Sequence, residues 1–390
     1  MKFGSFCPEK SPQTVKQILQ PCTSFPIMFS TIYQHFLALM FAISEVNKEF
    51  LLLPNITLGF HICAHFQRER SISLNTLSML SSRGQVVPGY KYFTLFLKDE
   101  SLFLQLGVGF EFSHGERSAH PSFFRINPKE FIQYTGLVQL LLHFQWNWVG
   151  LLAPEDDRGE RFVSTLTPIL QEKEICLAFT LMLETDNILI TRNKLFLNFL
   201  TSSKTEVFVM FADTTVAFTV LWMVKFFELN KVSFRKVCIF TSHWKLDVGK
   251  SKDTLPYIKL FHGVLHFRDH SRDVSEFNHF LLSLDPLNPQ VDVFLPTMWG
   301  ILFGCKIHQS GKIPLKGKKQ CTGKENMQNL PNYIFERSMT GESYNIYNAV
   351  YALAHALHAM YGSRVGPTMM RLGKRISNVQ SWQVSSAAFD

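Results

Sequence analysis

The sequence predicts an α/β fold with a mostly parallel sheet that helices cover on both faces. The first observation behind this prediction is a regular alternation of strand-like and helical segments between residues 129 and 241. The second is an amphipathic helical pattern on either side of that alternation, at residues 30–48 and 344–361. Strands that alternate with helices of roughly 10–15 residues are typical of βαβ units, in which successive strands run parallel.

The first predicted element is the helix at residues 30–48. Phe36, Leu39, Ile43 and Val46 follow one another at spacings of three and four, so they share one face of this helix. The helix is expected to end before the LLLPN segment, and a strand is expected at residues 56–62.

The alternating region supplies most of the predicted sheet. Asp156 and Asp157 open one of its helices, because an Asp before a helix can accept hydrogen bonds from the first free backbone N–H groups. The other predicted helices are Glu130–Phe144, a segment near Thr191–Leu200, and Thr215–Leu229. The predicted strands are Trp146–Leu152, Cys176–Leu183, Glu206–Ala212 and Lys236–Thr241.

The pattern becomes less regular after His266. The segment Asp285–Asn288 with the following Pro289 is a turn-rich break. The second amphipathic helix follows at residues 344–361 and is predicted to end at Gly362, since Gly is common at helix C-caps. Residues 363–390 show no periodicity, and we expect a poorly ordered tail there.

Composition and motifs exclude several classes of protein. The chain has 390 residues, of which 46% are hydrophobic and 18% charged, so it is neither fibrous nor of low complexity. The net charge of +8 raises the question of nucleic acid, but six lysines lie in residues 305–324, a segment without acidic residues. We therefore assign the charge to one surface loop and expect no nucleic-acid partner.

GxSxG, HExxH, GxGxxG and P-loop motifs are absent, so we predict neither an enzyme nor a cofactor.

The cysteines and the termini give weaker information. Seven cysteines include no CxxC pair, and their odd number leaves at least one thiol free or paired outside the chain. Asn55 begins the one N-glycosylation sequon found. Residues 1–29 contain no apolar stretch of the signal-peptide kind, so we expect an N-terminal extension without a secretion signal.

One segment, Val207–Phe227, is long and apolar enough to be considered as a membrane span. Asp213 and Lys225 interrupt it, and the ADTT tetrapeptide at residues 212–215 is typical of a strand-to-helix junction. We predict a buried strand followed by an amphipathic helix.

Several long segments carry a family resemblance. They are YQHFLALMFAISEVN (33–47), LLPNITLGFHI (52–62), PSFFRINPKEFIQYTGLVQLLLHFQWNWVGLL (121–152), DDRGERF (156–162), ICLAF (175–179), TSHW (241–244), CTGKENMQNLP (321–331) and MTGESYNIYNAVYALAHALHAMY (339–361). In this order they resemble the extracellular part of class C G protein-coupled receptors. Within that class they most resemble vomeronasal type-2 (pheromone) receptors.

This resemblance implies a two-lobed Venus-flytrap module, similar to periplasmic binding proteins, that binds a ligand between its lobes. Residues 30–127 and 270–362 would form lobe 1, and residues 128–269 would form lobe 2. A ligand that touches both lobes favours the closed state through its differential affinity for that state.

The resemblance also indicates that the grip on an amino-acid carboxylate in lobe 1 is lost. By this resemblance the stretch with the family's first Gly/Ser loop is absent, which leaves lobe 1 incomplete. In the second ligand-binding segment Gly109 aligns with the Gly of the family, and Phe110 stands where the family has a hydroxyl residue. Ser113 is a possible substitute.

Lobe 2 retains more of the family's ligand-binding positions. Asp157 and Arg158, and likewise Asp213 and Thr214, lie at strand-to-helix junctions near the implied cleft. Helix capping is the simpler explanation of these residues and needs no ligand. Ser242 stands where amino-acid-sensing relatives carry an acidic residue, and a hydroxyl cannot form the same charge-assisted bond to an ammonium. We therefore do not expect a simple zwitterionic amino acid as the ligand.

The resemblance implies a disulfide between Cys305 and Cys321. Cys63 lacks its expected partner, because Tyr92 occupies that position, and Cys176 in relatives bonds to a cysteine-rich domain. Both are expected to be free thiols. His61, Cys63 and His65 alternate along a predicted strand, but we interpret them as ordinary strand residues and predict no metal site.

The sequence therefore predicts the ligand-binding domain of a vomeronasal type-2-like receptor, truncated before the cysteine-rich and transmembrane domains. Its partners would be a small-molecule or peptide chemosensory ligand and, through lobe 1, a second module in a homo- or heterodimer. A G protein would couple only to a full-length relative, on the plasma membrane with this domain outside. A decayed, non-signalling receptor fragment and a soluble solute-binding protein remain alternatives.

Overall fold

In the computed structural model the chain divides into two compact units, which are described separately. Unit 1 comprises Met1–Asn127, Ser271–Leu330 and Phe335–Asp390, and unit 2 comprises Pro128–His270 and Pro331–Ile334. The structure describes residues 5–6, 8–9, 30–54, 56–60, 93–94, 105–107, 123–126, 130–183, 204–211, 236–242, 263–289, 292, 294–307, 319–331 and 335–371.

The described strands and helices are numbered in chain order. The strands are β1 (Ser5–Phe6), β2 (Pro8–Glu9), β3 (Thr57–Leu58), β4 (Phe93–Thr94), β5 (Gln105–Gly107), β6 (Phe123–Arg125), β7 (Trp148–Pro154), β8 (Cys176–Leu183), β9 (Val207–Met210), β10 (Val237–Phe240) and β11 (Leu265–His266). The helices are α1 (Ser30–Lys48), α2 (Glu130–His143), α3 (Asp157–Glu172), α4 (Ser275–Leu282), α5 (Leu295–Phe303) and α6 (Gly341–Arg371).

Unit 2 is built around a five-stranded sheet in the order β8-β7-β9-β10-β11. All of its neighbouring strands are parallel, which confirms the predicted α/β class and its parallel sheet. Six of the seven residues of β7 and all four of β9 are buried, as expected for the interior strands of a parallel sheet covered on both faces. Leu137 and Leu141 of α2 and Phe162 and Leu166 of α3 pack into the core against this sheet.

Unit 1 is held together by the packing of α1 against α6. The α1 face predicted to be apolar is buried, with Phe36, Leu39 and Val46 each no more than 2% exposed. In α6, Val350 and Leu353 are similarly buried. Phe41 of α1 also makes ring contacts with Phe277 and Phe280 of α4, each at a centroid separation of 5.5 Å. The amphipathic patterns at the two ends of the sequence therefore form one core.

A buried polar side chain connects the same two parts of unit 1. Gln34 of α1 donates to the carbonyl oxygens of Glu336 and Ser338, at 2.5 and 2.8 Å. Its own side-chain oxygen accepts a hydrogen bond from Ser343 of α6 at 3.2 Å. Thr340 caps α6, since its hydroxyl oxygen accepts from the backbone N–H of Ser343 at 3.1 Å. Because Gln34 is 1% exposed, these bonds replace those it would make with water.

The predicted end of α6 at Gly362 is wrong, because the helix continues to Arg371. A Gly inside a helix costs only about 1 kcal/mol relative to Ala. The buried stripe that precedes it, with Ile346, Val350 and Leu357, stabilises the helix by more than that. The tail predicted from residue 363 is thus helical through its first nine residues.

The segment considered as a membrane span begins as a strand. Val207–Met210 is β9, in agreement with the predicted buried strand, and the helix expected after it lies outside the described residues. Within the described ranges, none of the helices combines the length and the apolar character that a membrane crossing requires.

Candidate functional site

The carboxyl ends of the strands in unit 2 define the candidate site. The register pairs Leu152 of β7 with Met210 of β9, and Met210 with Phe240 of β10, so these strands end at one edge of the sheet. From β7 the chain passes to β8 on one side and then to β9 on the other. The adjacent strands β7 and β9 therefore form a topological switch point, where open α/β sheets commonly bind ligands.

Asp156 lies two residues after the end of β7 and caps α3. Its Oδ1 accepts hydrogen bonds from the backbone N–H groups of Arg158 at 3.0 Å and Gly159 at 2.9 Å. Its Oδ2 accepts from Nε and Nη2 of Arg158 at 3.0 and 2.7 Å. Burial alone would raise the pKa of Asp156, but the hydrogen bonds from Gly159 and Arg158 outweigh it, so the pKa is lowered. The capping role that the sequence left open thus belongs to Asp156.

Gly159 is required by the same turn. A Cβ atom at this position would lie 2.0 Å from the backbone oxygen of Pro154, a separation that real side chains do not reach. The first turn of α3 therefore packs directly on the end of β7. Asp157 and Arg158 precede Gly159 in this turn, so the close approach of Gly159 to Pro154 holds them near the end of β7.

Asp157 and Arg158 are both exposed at this edge. The guanidinium of Arg158 is bound to Asp156, as described above. The carboxylate of Asp157 makes no hydrogen bond or ion pair with the residues that the structure describes. Among the described residues, Asp157 is thus one of the acidic groups at this edge that are available to a ligand, together with the exposed Glu155 directly after β7.

Two hydroxyl residues follow β10 at the same edge. Ser242 is half-buried. Thr241 is 2% exposed and its backbone N–H donates to the Met210 oxygen at 3.1 Å. Its hydroxyl has no hydrogen-bond partner among the described residues, although buried hydroxyls usually have one. Thr241 is not among the predicted site residues, although a polar residue directly after a buried strand was the available signal.

The remaining predicted site residues lie outside the described residues. They are Ser113, Asp213, Thr214 and the sequon residue Asn55. The structure therefore brings Asp157, Arg158 and Ser242 to one sheet edge and gives no position for the others. Cys63, with its alternating neighbours His61 and His65, is also outside them. Among the residues described, no group of three His, Cys, Asp or Glu side chains is arranged to hold a metal ion.

The structure contains the disulfide that the resemblance implies. Cys305 and Cys321 are bonded with their Cα atoms 5.0 Å apart. Of the described cysteines outside this bond, Cys176 is exposed at the start of β8, whereas Cys238 in β10 is buried. Burial raises the pKa of the Cys238 thiol to about 12, so it remains protonated at neutral pH.

The fold belongs to a known class of receptor modules. The family described as "Receptor family ligand binding region" matches residues 34–385, and the chain belongs to this family. The chain is similar to vomeronasal type-2 receptor 26 of Mus musculus, with 29% identity over 356 residues, which cover 85% of this chain and 41% of that receptor.

Other class C receptors match with lower identity. The extracellular calcium-sensing receptor of Homo sapiens is 24% identical over 89% of this chain and 36% of its own length. Taste receptor type 1 member 3 of Mus musculus is 25% identical over 83% of this chain and 40% of its own length. The chain thus spans about two fifths of the length of the relatives it matches. These matches confirm the predicted resemblance to the ligand-binding region of vomeronasal type-2-like receptors, and the relatives are named as receptors.

Proposed function

We propose that this chain is the ligand-sensing module of a chemosensory receptor of the vomeronasal type-2 kind. In a full-length receptor it would lie on the extracellular side of the plasma membrane, and a G protein would couple to the transmembrane part. The family match over residues 34–385 and the similarity to vomeronasal type-2 receptors support this proposal.

The proposed ligand site is the carboxyl edge of the unit 2 sheet. One observation carries it: Asp157, whose carboxylate has no partner among the described residues, shares this edge with the half-buried Ser242 and with the Thr241 hydroxyl, which likewise has none there, beside the switch point. Asp213 and Thr214 belong to the proposed site because the sequence places them just after β9. Ser113 remains the proposed contribution of lobe 1.

The proposed ligand is a small molecule or a peptide, not a free amino acid. A free amino acid carries an ammonium and a carboxylate on one carbon, and both need charged or strongly polar partners. Ser242 stands in place of the acidic residue that holds the ammonium in relatives. Phe110 stands in place of a hydroxyl residue that holds the carboxylate. The hydroxyls and Asp157 suit a ligand that offers dispersed hydrogen-bond donors, such as a peptide.

The domain organisation and the assembly are part of the proposal. Residues 30–127 and 270–362 would be lobe 1 and residues 128–269 lobe 2, and a homo- or heterodimer would form through lobe 1. Unit 1 and unit 2 follow similar boundaries along the chain. No nucleic-acid partner is proposed.

Thermal shift of the intact chain tests the ligand site. The probes are the twenty free amino acids and a pool of dipeptides, each titrated to saturation. We expect a saturable rise in Tm with at least one dipeptide and none with the free amino acids. Asp157→Asn should weaken the dipeptide binding about tenfold, because it removes a charge-assisted bond worth roughly 1.5 kcal/mol.

Glu172→Gln is the matched control, because Glu172 is an exposed carboxylate at the other end of α3. It should leave dipeptide binding unchanged. Saturable binding of a free amino acid would contradict the proposed ligand class. Equal weakening by both substitutions would exclude the sheet edge as the site.

A further inference from the structure

A second candidate binding site lies inside unit 1. A cavity of about 610 Å³ is bounded by α1, the chain at and after β3, α4 and the loop before α5. Sites for small molecules usually measure roughly 300–1,000 Å³ and have mostly apolar walls. The apolar wall of this cavity is formed by Met40, Ile43, Leu58, Phe60, Phe280 and Leu284.

Two of the polar lining residues are fully engaged in holding the walls together. The Asn47 side chain donates to the Leu58 oxygen at 2.9 Å and accepts from the Leu58 N–H at 2.8 Å, which fixes β3 to α1. Asp292 accepts hydrogen bonds from the backbone N–H of Leu295 at 3.1 Å and from the hydroxyl of Tyr33. The walls therefore come from different parts of the chain but are joined by buried and part-buried hydrogen bonds, so the cavity is preformed.

The charges that line the cavity favour a cation. Asp285 uses one carboxylate oxygen to accept from the Leu287 N–H at 2.9 Å, and its other oxygen has no partner among the described residues. The Lys48 ammonium is neutralised by Glu45 at 2.8 Å. The faces of aromatic rings such as Phe60 and Phe280 also attract cations. Among the described residues that line the cavity, the exposed Asp285 and the buried Asp292 thus have no cationic partner, whereas the lining cation Lys48 is paired.

We propose that this cavity binds a small amphipathic cation, such as an alkylammonium or arylalkylammonium compound. Its apolar body would lie among Ile43, Phe60 and Phe280, and its ammonium would donate to the Asp285 carboxylate. All of these residues belong to unit 1, so the site is independent of the ligand site proposed at the sheet edge of unit 2.

Calorimetric titration of the intact chain with n-hexylammonium, and separately with hexanoate and 1-hexanol, tests this proposal. The three probes share one apolar tail and differ in charge. We expect saturable binding of n-hexylammonium that is about tenfold tighter than that of hexanol, with hexanoate weakest, because the carboxylate attracts only the cation. Equal affinities for the three probes, or no binding of n-hexylammonium at about 10 mM, would overturn the proposal.

Two variants locate the binding. Asp285→Asn keeps the oxygen that accepts from Leu287 but removes the charge, and we expect it to weaken n-hexylammonium about tenfold with hexanol unchanged. Ser44→Met extends a side chain of α1 into the cavity and should abolish binding of both. Asp273→Asn, an exposed acid of unit 1 outside the cavity lining, is the control and should bind normally. Unchanged affinity in Asp285→Asn would refute the assigned orientation even if Ser44→Met did not fold.

Discussion

At the scale of single residues, Glu325 shows how local hydrogen bonds set a charge. Its carboxylate accepts from the Thr322 N–H at 2.6 Å, from the Gly323 N–H at 2.9 Å and from Nε1 of Trp299 at 2.9 Å. Burial alone would raise the pKa of Glu325, but these bonds lower it to about 2. The carboxylate thereby orders the turn that follows Cys321, although most of this turn is exposed.

This lowered pKa predicts a pH-dependent stability. A folded-state pKa below the ordinary value of 4.5 contributes stability above pH 4.5, and that contribution is lost as the pH falls from 4.5 towards 2. Glu325→Gln should therefore lower Tm at pH 7, and the difference from wild type should shrink at pH 3. Calorimetry at both pH values measures it. The exposed Glu172→Gln should show no such convergence, and a pH-independent difference for Glu325→Gln would contradict the assignment.

At the scale of an element, the stability of α3 depends on the hydrogen bonds that Asp156 accepts at its N-terminus. Asp156→Ala removes the acceptor of two backbone N–H groups and should lower the free energy of unfolding by about 1 kcal/mol. The neighbouring Asp157→Ala removes an exposed carboxylate without such bonds and should cost almost nothing. Urea unfolding followed by circular dichroism compares the two. Equal losses would show that the cap has no special role.

At the scale of the whole chain, Gln34 joins residues that are about 300 positions apart. Gln34→Leu would leave the Glu336 and Ser338 carbonyl oxygens without this donor, while the Ser343 hydroxyl would lose its acceptor but keep its bond from Thr340. Each unsatisfied group costs on the order of 1–3 kcal/mol, so we expect a loss of roughly 2–4 kcal/mol after partial relaxation. Hydrogen exchange should accelerate in α1 and α6.

Gln139→Leu is the matched control for this substitution, since Gln139 is an exposed glutamine on α2. It should leave exchange in α1 and α6 unchanged. Exchange that accelerates in α3 as strongly as in α1 would indicate a global effect and would contradict the local role of Gln34.

How much of the fold the sequence predicts depends on the range of the interactions involved. The helix at residues 30–48 and the strand at residues 176–183 are found with the predicted bounds, because local periodicity determines them. The end of α6 was predicted wrongly at Gly362, since a local C-cap signal competes there with burial of the whole preceding helix. The order of residues along the chain predicts a strand-to-helix junction at Asp156 and Asp157. Which of the two caps the helix depends on the backbone geometry, and the structure assigns the cap to Asp156.

The candidate site was only partly predictable for the same reason. Ser242 was singled out through the family resemblance, and the sheet register places it at the edge that Asp157 also occupies. The unsatisfied hydroxyl of Thr241 became visible only from its three-dimensional surroundings. The cavity of unit 1 combines residues 40–60 with residues 280–295, and no local pattern reports that these segments meet.

The discontinuity of unit 1 has a consequence for biosynthesis. Ser343 follows Gln34 by 309 positions, and at roughly 5–20 residues per second the ribosome needs roughly 15–60 s to make that length of chain. Throughout this interval the apolar face of α1, with Phe36 and Leu39, lacks the helix that later covers it. Most residues of unit 2, Pro128–His270, are translated well before α6 begins at Gly341. The nascent chain therefore leaves the apolar face of α1 without its α6 partner until residues 341–371 have been translated.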